Sequence, residues 1–220
     1  MIINRTIGFT LGLALLIGCS TNNKSPELRI KDYYFPYKDF FEPKTYCYAN
    51  ANDTADKVYW IMQTKIEGKD TLFFTNIFDS QRRLTEELVE KIINKGSRML
   101  KYTLYQSDSN NRPISAPCQV IDSVIFNWNQ NIGESVVWKI VYPEFVSGKT
   151  IESIKTRTLI GIDSLKSVAI FKDNNSQKMI GSLVSNDYEI EFHYQKGIGA
   201  INYILSASNG FYKDYRLIKK

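Results

Sequence analysis

The stretch YEIEFHYQ, residues 188–195, alternates without a break. Tyr188, Ile190, Phe192 and Tyr194 share one parity, and Glu189, Glu191, His193 and Gln195 share the other. Successive side chains of a strand point to opposite faces, so this is a strand with one apolar face and one face in water. Strand-like segments continue on both sides. Downstream, AINYILSA (200–207) and FYKDYRLIK (211–219) flank Asn209-Gly210, a pair suited to the positive φ values of a two-residue hairpin turn. Upstream, VYWIMQTKI (58–66) and TLFFTNIF (71–78) flank Glu67-Gly68-Lys69-Asp70, a second hairpin signal. TYCYA (45–49), SRMLKYTLYQ (97–106), CQVIDSVIFNW (118–128), SVVWKIVY (135–142), TIESIKTRTLIGI (150–162), SVAIF (167–171) and KMIGSLV (178–184) complete the strand set. In 97–106 simple alternation places Leu100, Tyr102 and Leu104 on one face. The expected fold is mainly β: a curved antiparallel sheet or partly open barrel with at most one or two helices. Closing or covering such a sheet removes its unpaired edges.

Three segments interrupt the pattern. RRLTEELVEKIINKG (82–96) has Leu84, Leu88, Val89, Ile92 and Ile93 at helical spacing, a Glu87/Lys91 pair four apart, and Gly96 as a stop. Read locally it is a helix. It lies between strands, however, and Asn94-Lys95-Gly96-Ser97 equally suits a hairpin. KGIGAI (196–201) has two glycines but lacks the third glycine and the Lys-Ser/Thr of a phosphate loop, so it reads as a bend between strands. DYYFPYKDFFEPKTYCY (32–48) is dense in aromatics. It reads as a strap packed over the sheet, with a ligand-pocket lining or partner surface as the alternative.

Composition limits the chemistry. The net charge of +5 is spread along the chain, with RLIKK (216–220) its only basic cluster, and no dense Lys/Arg stripe suggests nucleic acid. His193 is the single histidine, and it falls on the polar face of a regular strand. Any triad or histidine-bearing zinc site would have to use it. Glu189 and Glu191 stand about 7 Å apart by strand geometry, within the range of glycosidase acid/base pairs, but such pairs occur on many wet strand faces. Neither catalytic residues nor a metal or other cofactor is expected. Cys47 and Cys118 could form a disulfide in an oxidising compartment, or remain buried thiols. Their spacing excludes a CxxC redox centre.

The amino terminus fixes the expected address. Arg5 precedes IGFTLGLALLI (7–17), an apolar run of about 16 Å as a helix, too short to span a bilayer and suited to the centre of a signal peptide. Leu16-Ile17-Gly18-Cys19 then resembles the lipobox of bacterial lipoproteins. The resemblance implies removal of residues 1–18, a diacylglycerol thioether on Cys19 and acylation of the new amine. Two or more acyl chains anchor a protein stably. Ser20 after the cysteine, rather than Asp, implies the outer membrane, and the absence of an acidic cluster favours the periplasmic face. Residues 19–31 are expected to be a lipidated tether, STNNKSPE (20–27) reaching about 25 Å, and 32–220 a single β-rich domain.

The function expected from this reading is a lipid-anchored envelope protein with a non-catalytic binding or assembly role. Its partners would be the membrane, through the anchor, and an envelope protein or apolar ligand. The alternative is a carrier of a lipid or other apolar ligand in a half-barrel cavity, resembling lipoprotein-localisation factors in architecture alone. A hydrolase is the least favoured class. A deep cavity inside the sheet favours the carrier, and a filled core favours the interaction protein.

Overall fold

The computed structural model describes residues 29–107, 112–182 and 185–220. The expected signal peptide, residues 1–18, and Cys19 lie outside the described residues. Thirteen strands follow two 3-10 turns, Ile30–Asp32 and Tyr37–Asp39. They are β1 (Lys44–Asn50), β2 (Asp53–Glu67), β3 (Asp70–Phe78), β4 (Leu84–Ile93), β5 (Gly96–Ser107), β6 (Pro113–Ile121), β7 (Val124–Asn127), β8 (Ser135–Pro143), β9 (Thr150–Asp163), β10 (Val168–Met179), β11 (Ser185–Gln195), β12 (Gly199–Ala207) and β13 (Tyr212–Lys219).

Every strand pairs antiparallel, and the order is β4-β3-β2-β1-β13-β12-β11-β10-β9-β8-β6-β5, with β5 returning to β4. This is a closed up-and-down barrel of twelve strands. β7 is the extra strand; it pairs with the start of β5 and continues the line of β6 past a break at Asp122, whose φ is +51°. Closure leaves no long exposed edge. The expected curved antiparallel sheet thus forms, and it curls far enough for β5 to meet β4.

Segment 82–96 is strand, not helix. Glu86, Leu88 and Glu90 face the interior, while Glu87 and Lys91 face out and pair across strands with Lys101 and Asp70 instead of with each other. The strand period is hidden because its inner face mixes carboxylates with Leu88 and Ile92. Two other expectations shift for local reasons. A bulge opposite Val89 and Glu90 changes the frame of β5, so Met99 and Tyr102 point in and Leu100 is exposed. Of the run 178–184, Lys178 and Met179 end β10, and Gly181 then turns the chain at φ +87°.

The aromatic segment is a plug. Ile30, Tyr33, Tyr34, Phe35, Tyr37 and Phe40 are all buried. Ile30 thus already belongs to the core, although its polar neighbours read as tether. Phe35 contacts rings from β1, β2, β3 and β11 at centroid distances of 5.8–6.0 Å, so it lies across the barrel end rather than along one wall. Backbone bonds hold it on two sides: Thr64 N donates to Phe40 O at 2.7 Å, and Gly197 N to Asp32 O at 2.9 Å. Gly199 makes the close approach possible. Its φ is +95°, and a Cβ there would stand 2.3 Å from the Phe35 ring.

The outer wall carries cross-strand ion pairs, among them Lys172–Glu189, Lys139–Glu152 and Lys101–Glu87. Charge on the outside and packed aromatics within suit a barrel standing in water, the reverse of a lipid-facing wall.

Candidate functional site

The plug seals one mouth of the barrel, and behind it the strands enclose a cavity of about 340 Å³. That volume lies at the small end of ligand pockets. Tyr34 and Phe35 form its floor, and Trp60, Trp138, Phe192 and Tyr203 contribute apolar wall. Phe78, Asp79 and Leu205 stand toward the opposite end.

Charged side chains reach into this lumen from adjacent strands. On β9 the inward parity reads Ser153, Lys155, Arg157, Leu159; on β10 it reads Phe171, Asp173, Asn175. The register pairs Arg157 with Asp173, both buried. The guanidinium donates twice to the carboxylate, at 2.7 and 2.6 Å, and lies 4.3 Å over the Phe126 ring. Burial opposes the charge on Arg157, but the Asp173 carboxylate overrides it and holds the guanidinium more firmly protonated than usual.

Glu90 accepts hydrogen bonds from the Tyr34 and Ser97 hydroxyls, each at 2.7 Å, and Tyr102 donates to Glu86 at 2.7 Å. Lys155 differs from these groups. Its Nζ lies 5.1 Å from the Tyr102 ring, and among the described residues no acceptor or carboxylate pairs with it. Burial pushes its pKa down, against the pull of Glu86 and Asp173. Its side chain retains partial exposure because it faces the cavity. Trp60 Nε1, Trp138 Nε1, Ser153 Oγ and Asn175 Oδ1 are also buried without partners.

Burial pushes the Glu90 carboxyl above its ordinary range, and the bonds from Tyr34 and Ser97 offset this only in part. The fold therefore favours the protonated form more than water does. A group with a raised folded pKa contributes stability that is complete below its unfolded pKa and lost as pH rises through the folded value. Glu90→Gln cannot ionise. Relative to the parent it should gain unfolding free energy as the pH is raised from about 4.5, the ordinary carboxyl value, to neutrality. Urea titrations of both proteins at the two pH values measure this, and parallel stabilities would place the carboxyl in water.

The residues singled out from sequence lie elsewhere. His193 Nε2 and Glu191 Oε1 are 2.6 Å apart on the outer wall, and Glu189 pairs with Lys172 at 2.8 Å on the same face. Glu189 also borders an outer hollow of about 580 Å³ with Thr156, Asn174 and Ser206. That hollow is more open to solvent than the lumen. Cys47 and Cys118 are free thiols. Cys47 faces away from the interior between inward Tyr46 and Tyr48, while Cys118 is in register with inward Tyr102. They sit on strands that are not neighbours and point to opposite sides of the wall, so no disulfide joins them. Burial pushes the Cys118 thiol up to about 11, which keeps it from acting as a thiolate at neutral pH.

Lys155, Arg157 and Asp173 were not legible as a site. TIESIKTRTLIGI carries polar and apolar residues on both parities, and only the strand register shows which set faces in.

No protein-family model matches the chain, and no curated protein matches it. Among solved structures, the chain is similar to a crystal structure of a "putative lipoprotein" from Parabacteroides distasonis ATCC 8503. The two are 10% identical over 81% of this chain and 96% of that one, with a TM-score of 0.44. A likeness of that size assigns no activity or ligand to this chain.

Proposed function

We propose that the protein is a non-catalytic, lipid-anchored envelope protein that holds a small apolar ligand inside its barrel. The observation that carries this reading is the lumen itself: an enclosed cavity of about 340 Å³ with aromatic walls, an aromatic floor and unpartnered polar atoms. The carrier alternative therefore gains over a filled interaction module, with a closed barrel in place of a half-barrel. The volume suits a small ligand rather than a whole phospholipid. The anchor is Cys19, in the outer membrane on its periplasmic side. The chain enters the barrel at the plugged end, so cargo would exchange through the opposite mouth.

N-phenyl-1-naphthylamine, an uncharged fluorophore, tests the lumen. It should bind the chain from residue 19 onward bearing Cys19→Ser, which keeps the whole barrel and plug. Leu88 lines the cavity, and Leu88→Trp should weaken binding about tenfold or more while the far-ultraviolet dichroism stays that of a β protein. Equal binding by the two would place the probe outside the barrel and overturn the reading. Labelled palmitate should enter the parent and not Cys19→Ser, and failure to label the parent would remove the anchor.

A further inference from the structure

We propose that the ligand held in the lumen carries an anionic head, a carboxylate on an apolar body, and that Lys155 receives it. This rests on the lumen being a ligand site and goes further by naming the ligand's chemical class.

The hydrogen bonding inside the barrel supports it. Asp173 is matched by two bonds from Arg157, Glu86 by the Tyr102 hydroxyl, and Glu90 by Tyr34 and Ser97. Lys155 is the lumen charge that, among the described residues, lacks a hydrogen-bond acceptor or an ion-pair partner. A buried cation is costly unless it is paired. The Tyr102 face gives it a cation–π contact at 5.1 Å, a weaker compensation than a carboxylate oxygen at hydrogen-bond distance. In register with it on β8, Trp138 Nε1 is a further donor without a hydrogen-bond partner among the described residues, and on β10 the Asn175 Oδ1 acceptor is likewise unpartnered. Burial pushes the Lys155 pKa down, and an anion arriving beside it would push it back up. One ammonium matches one negative charge, so a monoanion fits better than a multiply charged headgroup. The aromatic walls take the apolar remainder.

Displacement of N-phenyl-1-naphthylamine by octanoate and by 1-octanol provides the test. The two competitors share a chain length and differ in the head, and octanol has the greater tendency to leave water. In the parent, octanoate should displace the probe at a concentration about tenfold lower than octanol, the scale of one charged hydrogen bond. In Lys155→Met that preference should vanish, the two competitors being compared within the variant whatever its own affinity for the probe. Lys155→Gln serves as the second variant should the methionine form fold poorly. A parent that prefers octanol, or variants that keep the preference for octanoate, would overturn the anionic head while leaving the lumen reading intact. Failure of the probe to bind the parent at all would overturn both.

Discussion

Asp173→Ala is expected to cost about 3–5 kcal/mol, because it strands the Arg157 guanidinium inside the barrel without its carboxylate. At roughly 2–4 °C per kcal/mol for a chain of this size, the melting temperature should fall by about 10 °C. The loss would not be the net worth of the ion pair. Bringing both charges out of water is itself expensive, so replacing the two together by apolar residues of similar volume should be far less damaging. The double variant Arg157→Met/Asp173→Leu is therefore expected to lie much closer to the parent than Asp173→Ala does. Urea unfolding of the parent, Arg157→Met, Asp173→Leu and the double variant forms a cycle that isolates the coupling. If Asp173→Ala costs under about 1 kcal/mol, the guanidinium must be reaching water through the lumen, and the interior is wetter than its aromatic walls imply.

That pair also marks the boundary of what the sequence discloses. The stretch 188–195 disclosed a strand because its two parities differ cleanly: aromatic and aliphatic inside, charged outside. The same logic found most of the other strands, since Val, Ile, Tyr and Phe are their preferred residues and Gly68 and Gly210 sit at positive φ in their hairpin turns. It failed where the barrel interior is itself polar. In β4 the inward set is Glu86, Leu88, Glu90 and Ile92, and the outward set includes Val89, which is buried. Neither parity is plainly wet or dry, and the helical spacing of the same leucines and isoleucines becomes the stronger local signal. The hydroxyl partners of Glu86 and Glu90 are contributed by β5 and the plug, at separations that no local pattern encodes. The site was hidden for the same reason. A polar lumen lowers the contrast that sequence reading depends on, and the residues that break the pattern are those facing the cavity.

The plug offers the second large effect and a way to show that it seats inside the barrel. Phe35→Ala removes a ring that touches Tyr46, Trp60, Phe73 and Tyr194, and should cost about 3–5 kcal/mol. Gly199→Ala should also destabilise, for two separable reasons. Its φ of +95° suits glycine alone, a penalty of about 1–2 kcal/mol for alanine. The new methyl would also stand 2.3 Å from the Phe35 ring, and overpacking of that kind costs about 1–3 kcal/mol. Removing the ring abolishes the second cost but not the first. Phe35→Ala/Gly199→Ala should therefore be more stable than the sum of the single losses predicts, by about 1–3 kcal/mol. Strict additivity in denaturant unfolding would mean that Phe35 does not press on Gly199, and that the strap lies over the barrel end instead of in it. The sign of the coupling decides the matter, because a strap resting outside has no means of making alanine at 199 tolerable only when residue 35 is small.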